Sequence, residues 1–271
     1  MYLNLASYHF TDLDGLPALR EDILRAGDAL GMRGTVLLAP EGINVFVCGA
    51  EGQARTFAAR LKAFERLEAL SFKESWSEKQ SFNRLLVKLK KEIITFRQPG
   101  CRPASGRAPS VEPRALARWL DRGCDDEGRP VVMVDTRNAF ETQVGAFAGA
   151  VDPRLASFTE LPRALEDRRE ELAGKRIVAY CTGGIRCEKA ALYLDAQGFE
   201  HVVQLEGGVL KYFEEVGGRH WEGELFVFDR RVSLKPDLSP GTWEQDFESR
   251  EIRAAGFPGA PAGTPGQVRA E

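Results

Sequence analysis

Along residues 1–95 the apolar positions switch between the two-residue period of a strand and the 3.6-residue period of a helix. Asn4 to Phe10 reads as a strand. Leu16, Leu19, Ile23, Leu24 and Leu30 recur at near-helical spacing and predict a helix from Leu16 to Leu30, ended by Gly31. Thr35 to Leu38 and Ile43 to Val47 are β-rich runs joined by Ala39-Pro40-Glu41-Gly42, a turn by its Pro and Gly, so they predict a hairpin. Phe57, Leu61 and Phe64 mark a second helix, and Leu85 to Ile94 a closing extended segment.

The resulting order, β-α-β-β-α-β, is the split βαβ or ferredoxin-like arrangement, expected over residues 1–97. Residues 98–112 carry Pro, Gly and Arg with little to bury and read as a linker. Beyond them Val131 to Asp135 and Ile177 to Tyr180 are short apolar runs ending at polar residues, with helical patterns between and after. Buried parallel strands look like this, so residues 113–217 are expected to form a second, α/β domain with a parallel sheet. Residues 218–255 then form a C-terminal extension. The last stretch, 256–271, has seven Gly or Pro in sixteen residues and is expected to be a disordered tail.

Composition narrows the class. At 43% apolar and 28% charged residues the chain has an ordinary globular balance, and no stretch reaches the roughly 18 apolar residues that a membrane helix needs. The N-terminus carries Asp12 and Asp14 and lacks a basic region followed by an apolar core, so it does not read as a secretory signal. Five cysteines, at 48, 101, 124, 181 and 187, make no disulfide framework and point to a reducing cytoplasm. Three histidines (9, 201 and 220) exclude a His-rich metal site, and no metal is expected. A net charge of −3 excludes a globally basic nucleic-acid binder, though not a local patch.

The chemistry concentrates in Ile177 to Leu194, IVAYCTGGIRCEKAALYL. A strand runs out at Tyr180; Cys181, Thr182, Gly183, Gly184, Ile185, Arg186 and Cys187 follow, and a helix begins near Glu188. Glycines let backbone N–H groups turn inward, and a helix N-terminus adds partial positive charge. Arg186 adds a full charge, and together these favour the thiolate of Cys181. The same cradle suits a small anion such as the outer sulfur of a persulfide. A bare alternative is a Cys packed at a strand end as a small hydrophobe.

Spacing separates two chemistries. Cys-dependent phosphatases place five residues between Cys and Arg, whereas four, Thr182 to Ile185, stand here. This shorter loop resembles the sulfur-transfer loop of rhodaneses. Asp135-Thr136-Arg137, Glu141 and Gly145-Ala146-Phe147-Ala148-Gly149-Ala150 resemble the rhodanese signature, with Ala146 in place of the usual His. Leu205-Glu206-Gly207-Gly208 resembles its terminal glycine pair, and the likeness covers about Val111 to Val216. With the N-terminal Ala39-Pro40-Glu41-Gly42-Ile43-Asn44 and the loop Cys-Thr-Gly-Gly-Ile-Arg-Cys-Glu-Lys, the whole chain resembles the bacterial tRNA uridine(34) hydroxylase family.

That resemblance implies a ferredoxin-like domain followed by a rhodanese-like one. It also implies oxygen-dependent formation of 5-hydroxyuridine at the wobble position of tRNA, with molecular oxygen as co-substrate, the anticodon loop as partner, and Cys181 as the active cysteine, described in the family as passing through a persulfide-type state. One departure is that many members carry a further cysteine-containing segment, whereas no Cys follows Cys187 here.

Two features bear on an RNA substrate and on mechanism. Lys79, Arg84, Lys88, Lys90, Lys91, Arg97, Arg102 and Arg107 are offset only by Glu92, a footprint expected for phosphate binding, with Trp76, Phe82 and Phe96 available to stack on unpaired bases. The alternative is an edge strand guarded by Lys and Arg against aggregation. With no Gly-x-Gly-x-x-Gly after a strand, no flavin or dinucleotide site is indicated. Cys181 is therefore expected either to add to C6 of uracil, making C5 electron-rich, or to act as a persulfide electron donor, with Arg186 holding an anionic partner. Cys187 is expected either to resolve an oxidised Cys181 as a disulfide or merely to pack, and Asp135 and Arg137 to support the loop. Two other functions use the same residues: a thiosulfate or persulfide sulfurtransferase without RNA, and a Cys181–Cys187 redox sensor.

Overall fold

A computed structural model describes residues 1–245 and 251–254. The N-terminal half contains β1 (Tyr2–Phe10), α1 (Leu16–Ala29), β2 (Arg33–Ala39), β3 (Gly42–Ala50), α2 (Glu51–Lys62), β4 (Lys73–Ser77) and β5 (Leu85–Leu89). They form one five-stranded sheet in the order β4-β1-β3-β2-β5. The expected β-α-β-β-α-β unit is present, but its closing strand is β4 and not the Leu85 to Ile94 segment. That segment instead supplies β5, shorter than expected, which runs parallel to β2 as an extra edge. Lys73–Ser77 (KESWS) escaped the sequence pattern because its side chains are polar on one face and only half-buried on the other.

The two faces of this sheet have different tasks. Leu3 and Leu5 of β1 join Val36, Val45, Ile23, Phe57 and Leu61 in a core under α1 and α2. Residues of opposite parity point away from that core, because successive strand side chains alternate. Ala6 packs against the core of the C-terminal half, and the Tyr8 hydroxyl donates to Glu188 there at 2.8 Å.

The C-terminal half contains β6 (Ser110–Val111), α3 (Pro113–Arg122), β7 (Val131–Asp135), α4 (Ala139–Thr142), β8 (Gly145–Phe147), α5 (Leu161–Glu166), α6 (Arg169–Leu172), β9 (Arg176–Tyr180), α7 (Ile185–Ala196), β10 (Val202–Leu205) and α8 (Gly208–Val216). Its sheet, β6-β10-β9-β7, is wholly parallel. Both faces are covered, which is why VVMVD and IVAY read as unbroken apolar runs. Met133, Val178 and Tyr180 enter one core with Leu116, Trp119, Tyr212 and Phe213 of α3 and α8. Val132, Val134 and Ile177 enter the other with Leu161, Leu165, Ala190 and Leu194 of α5 and α7.

Residues 98–112 are not a free tether. Cys101, Pro103 and Ala108 are buried, and Ser110–Val111 adds β6 to the parallel sheet. Phe96, expected as a base-stacking platform, is fully buried in the C-terminal half, 4.5 Å from Phe158 ring to ring. The extension adds β11 (Trp221–Gly223), paired with β8, and β12 (Leu225–Phe226), paired with β13 (Ser233–Leu234). It then returns to the first half, where Arg231 Nη1 donates to Ser75 Oγ at 2.7 Å and Arg230 N to Ser81 O at 3.0 Å. The expected disordered tail, 256–271, lies outside the described residues. No helix among the described residues is long and apolar enough to cross a membrane.

Candidate active site

The parallel sheet delivers β9 to its carboxyl edge, the place where open α/β sheets present ligands. Cys181 follows there, and the chain reverses through Thr182, Gly183 and Gly184 into α7. Gly184 has φ 103, and a Cβ on it would stand 2.8 Å from the Tyr8 hydroxyl, so both conformation and space require glycine. A second loop braces the first. Val209 N donates to Cys181 O and Leu210 N to Thr182 O, both at 3.0 Å. Gly208 permits that approach, because its Cβ would fall 2.6 Å from Cys181 O.

Cys181 exposes no surface. Gly184 N donates to its Sγ at 3.1 Å, and the N–H of Arg186 adds a second backbone donor. Burial alone would raise this thiol. The S–H of Cys187, the charge of Arg186 and the two amides outweigh burial and bring Cys181 down to about 5, so sulfur is a thiolate at neutral pH. Cys187 is pushed up by burial and by the neighbouring thiolate, and stays a protonated donor. Thr136 Oγ1, which donates to Tyr180 O at 2.9 Å, lies 3.7 Å from Cys187 Sγ.

Arg186 does not aim its guanidinium at a ligand. Nη1 and Nη2 close on Glu141 at 2.5 and 2.7 Å, both side chains buried. What reaches sulfur is its charge through space and its backbone N–H. Asp135 and Arg137 form a second buried pair, with Nη2 of Arg137 at 2.6 Å from Asp135 and 2.7 Å from Gly145 O. The guanidinium also lies 5.1 Å from the Trp221 ring. The pair thus ties the end of β7 to Gly145 of β8. Ile185 packs on Phe10, Ala39 and Ile93, joining the loop to the first half.

The N-terminal half contributes residues that sequence reading missed. Tyr8 reaches Glu188, which Arg107 also pairs at 3.1 Å. Lys189, 2% exposed, is held by Glu41 at 2.9 Å, Glu92 at 2.6 Å and Ile94 O at 3.0 Å. The Pro-Glu-Gly turn carried a signal in Glu41, a charged residue in an otherwise apolar hairpin. Tyr8 carried none, since an aromatic residue in a strand is ordinary.

All eight cations expected to meet RNA are exposed, and they fall on several elements. Lys79 follows β4 and Lys88 lies on β5, opposite edges of the sheet and about 19 Å apart by strand spacing. Arg84 precedes β5; Lys90, Lys91 and Arg97 lie on the segment that carries Glu92 to Lys189. Arg102 pairs with Asp12 at 2.9 Å, and Arg107 with Glu206 at 3.0 Å. Trp76 packs on the N-terminal core, and Phe82 lines an interdomain cavity. Among the described residues no group of three or more His, Cys, Asp or Glu side chains is placed to hold a metal.

A parallel-sheet domain with a cysteine cradle between strand and helix, set on a five-stranded α+β domain, defines a rhodanese-type protein of two domains. Residues 2–93 match the UPF0176 acylphosphatase-like domain and residues 114–215 the rhodanese-like domain. A tRNA uridine(34) hydroxylase of Variovorax paradoxus is 55% identical over 88% of this chain and 90% of its own length. One from Bordetella petrii is 55% identical over 88% and 94%, and one from Burkholderia thailandensis 51% over 98% and 91%. The chain belongs to the tRNA uridine(34) hydroxylase family.

Proposed function

We propose that this protein hydroxylates C5 of uridine at position 34 of tRNA, with Cys181 as the nucleophile and molecular oxygen as co-substrate. The observation that carries the chemistry is the cradle of Cys181: a buried sulfur that accepts from Gly184 N at 3.1 Å, where the Cys187 S–H, the Arg186 charge and the loop amides outweigh burial and favour the thiolate. Such a group is ionised and desolvated, the condition in which sulfur adds to an electron-poor carbon. Addition to C6 of uracil makes C5 electron-rich enough to take an oxygen atom; loss of the C5 proton then expels the Cys181 thiolate and restores the C5=C6 bond. The second atom of oxygen leaves as water, reduced by two electrons from a thiol-class donor.

The substrate is the anticodon loop, where base 34 is unpaired and can leave the stack. The candidate phosphate contacts are drawn from Lys79, Arg84, Lys88, Lys90, Lys91, Arg97, Arg102 and Arg107, with Lys91 and Arg97 the ones expected to carry binding, and a cytoplasmic setting suits both tRNA and five free cysteines. A rhodanese-type loop is also compatible with a persulfide on Cys181; in that reading the outer sulfur is the electron donor. A sulfurtransferase without RNA would use the same thiolate.

Nucleoside mass spectrometry of tRNA from cells lacking the protein, complemented with wild type or Cys181→Ser, tests the reading. The expected result is loss of 5-hydroxyuridine and its derivatives, restored by wild type only. Purified enzyme, oxygen and unmodified tRNA should reproduce the reaction. Unchanged nucleosides in both settings, with thiosulfate turnover intact, would give the site to sulfur transfer.

A further inference from the structure

Around the cysteine loop nearly every cation is already neutralised. Arg186 is closed on Glu141, Arg137 on Asp135, Arg107 on Glu188 and Glu206, and Lys211 on Glu112. Lys73 is different. It opens β4 in register with Ala6 of β1, on the sheet face turned toward the catalytic domain. Among the described residues its ammonium makes no hydrogen bond or ion pair, and it lies over the Tyr8 ring, 5.5 Å from the centroid. The charges it faces are Cys181, Glu206 and Glu188, opposed by Lys211, and burial lowers its pKa.

Thr182, the residue after the nucleophile, has a second unspent group. Its hydroxyl is buried with no hydrogen-bond partner, on a residue 6% exposed. Lys73 and Thr182 line the same interdomain cavity, about 30 Å³ in volume, room for an oxygen-sized group or two and not for a ring. An orphaned buried hydroxyl is unfavourable, and so is a desolvated ammonium without a counter-ion. Two such groups from different domains, lining one small space a single residue along the chain from Cys181, are donors suited to an anionic oxygen.

We propose that Lys73 and Thr182 are the oxyanion site of the reaction, receiving the C4 carbonyl oxygen of the pyrimidine while Cys181 adds to C6. This deepens the hydroxylase reading and rests on it. In the step the thiolate electron pair forms the Sγ–C6 bond, the C5=C6 π bond opens, and that pair moves through C5 and C4 onto O4. Nothing is oxidised or reduced and no group leaves. The charge that departs from sulfur arrives on O4, where an ammonium and an O–H donate to it without reorganising. A cytosine would bring an amino group to the same place, and an ammonium cannot accept its N–H. Lys73 therefore also favours uridine at this position.

Three measurements on the full-length protein test this: single-turnover hydroxylation of unmodified tRNA, tRNA Kd, and ultraviolet titration of the thiolate with Cys181→Ser as blank. Lys73→Met is expected to lower the single-turnover rate by about 10²- to 10³-fold, as loss of an oxyanion donor does, with Kd unchanged. Thr182→Val should lose a smaller factor, and Lys73→Arg should recover part of the rate, which a purely structural role would not give. The thiolate titration of Lys73→Met should move to higher pH. A loss that appears in Kd and not in rate makes Lys73 a phosphate contact and overturns the proposal, as does an unchanged rate. An unmoved titration overturns the placement of the ammonium at the thiolate. Wild type that titrates as expected but leaves tRNA unmodified overturns the hydroxylase reading, and the oxyanion role with it, while the titration of Lys73→Met still reports the placement.

Discussion

Arg186 and Glu141 form a two-pronged ion pair, 2.5 and 2.7 Å, with 6% and 0% of their side chains exposed. A guanidinium held in this way is a fixed charge rather than a ligand-binding hand. It biases Cys181 toward the thiolate while its own backbone N–H donates to sulfur. Breaking the pair strands a buried charge, which costs far more than the pair contributes. Glu141→Ala is therefore expected to lose about 3–5 kcal/mol of stability, and Arg186→Met with Glu141→Leu to recover part of it. Urea unfolding at constant m-value reads both; a double-variant loss equal to the sum of the two single losses would show that the two residues do not act as a unit.

Cys187 sets the titration of its neighbour as a donor. Replacing it by Ala removes an S–H from the thiolate, whereas Ser keeps a hydroxyl there. The Cys181 midpoint, about 5 in wild type, should rise in Cys187→Ala and stay low in Cys187→Ser. Since the folded value lies below the ordinary thiol range near 8.5, the linked stability is complete above that range and is lost as pH falls through about 5. The acid limb of single-turnover activity should follow the same midpoint, moving upward in Cys187→Ala. An unmoved limb would leave the amides and Arg186 as the whole cause.

The cysteine loop was legible because its requirements are local. A strand end, glycines and a helix start must be adjacent in sequence to build a cradle, and Cys181 to Cys187 are adjacent. Both halves of the fold were legible for a related reason: strand and helix periods survive wherever one element has one buried face. What stayed hidden depends on long-range pairing. Lys73–Ser77 is too polar to announce a strand, and only its register with Tyr2 to Ala6 makes it one. Sequence suggests Arg186 for an anionic partner because it does not reveal that Glu141, 45 residues away, takes both of its arms. Phe96 lies in a basic, Pro-flanked stretch that reads as solvent-facing, yet it stacks on Phe158 in the far core. The count of basic residues likewise carries no information on which edge of a sheet each one occupies.

Lys189 is the polar clamp between the two halves. Its ammonium is 2% exposed and satisfied by Glu41, Glu92 and Ile94 O. Burial would raise the Glu92 carboxyl, but Lys189 and the N–H groups of Phe96 and Arg97 hold it below the usual range. Lys189→Met leaves two carboxylates facing each other and should cost about 3–5 kcal/mol. Tyr8→Phe, which removes one hydrogen bond to Glu188, should cost about 1 kcal/mol. Hydrogen exchange should show the loss in Lys189→Met along β3, residues 92–97 and the start of α7 together. Protection lost in α7 alone would mean that Lys189 stabilises its own helix and not the junction.

The basic residues divide by position, and the division is measurable. Lys91 and Arg97 lie on the exposed segment that runs from the edge strand β5 past Ile93, which packs against Ile185 of the cysteine loop. Lys79 lies beyond β4 at the opposite edge of the sheet. Each phosphate contact made by a cation to single-stranded RNA contributes roughly 0.7 to the slope of log affinity against log salt. Lys91→Ala and Arg97→Ala are each expected to weaken tRNA binding and to reduce that slope by about this amount, whereas Lys79→Ala leaves it unchanged. Lys88→Ala, on the exposed edge of β5, should raise aggregation before it affects affinity, because a charged edge resists pairing with another chain. Equal slope changes for Lys79 and Lys91 would mean that the tRNA tracks both edges of the sheet, and that the whole segment from 79 to 107 is its footprint.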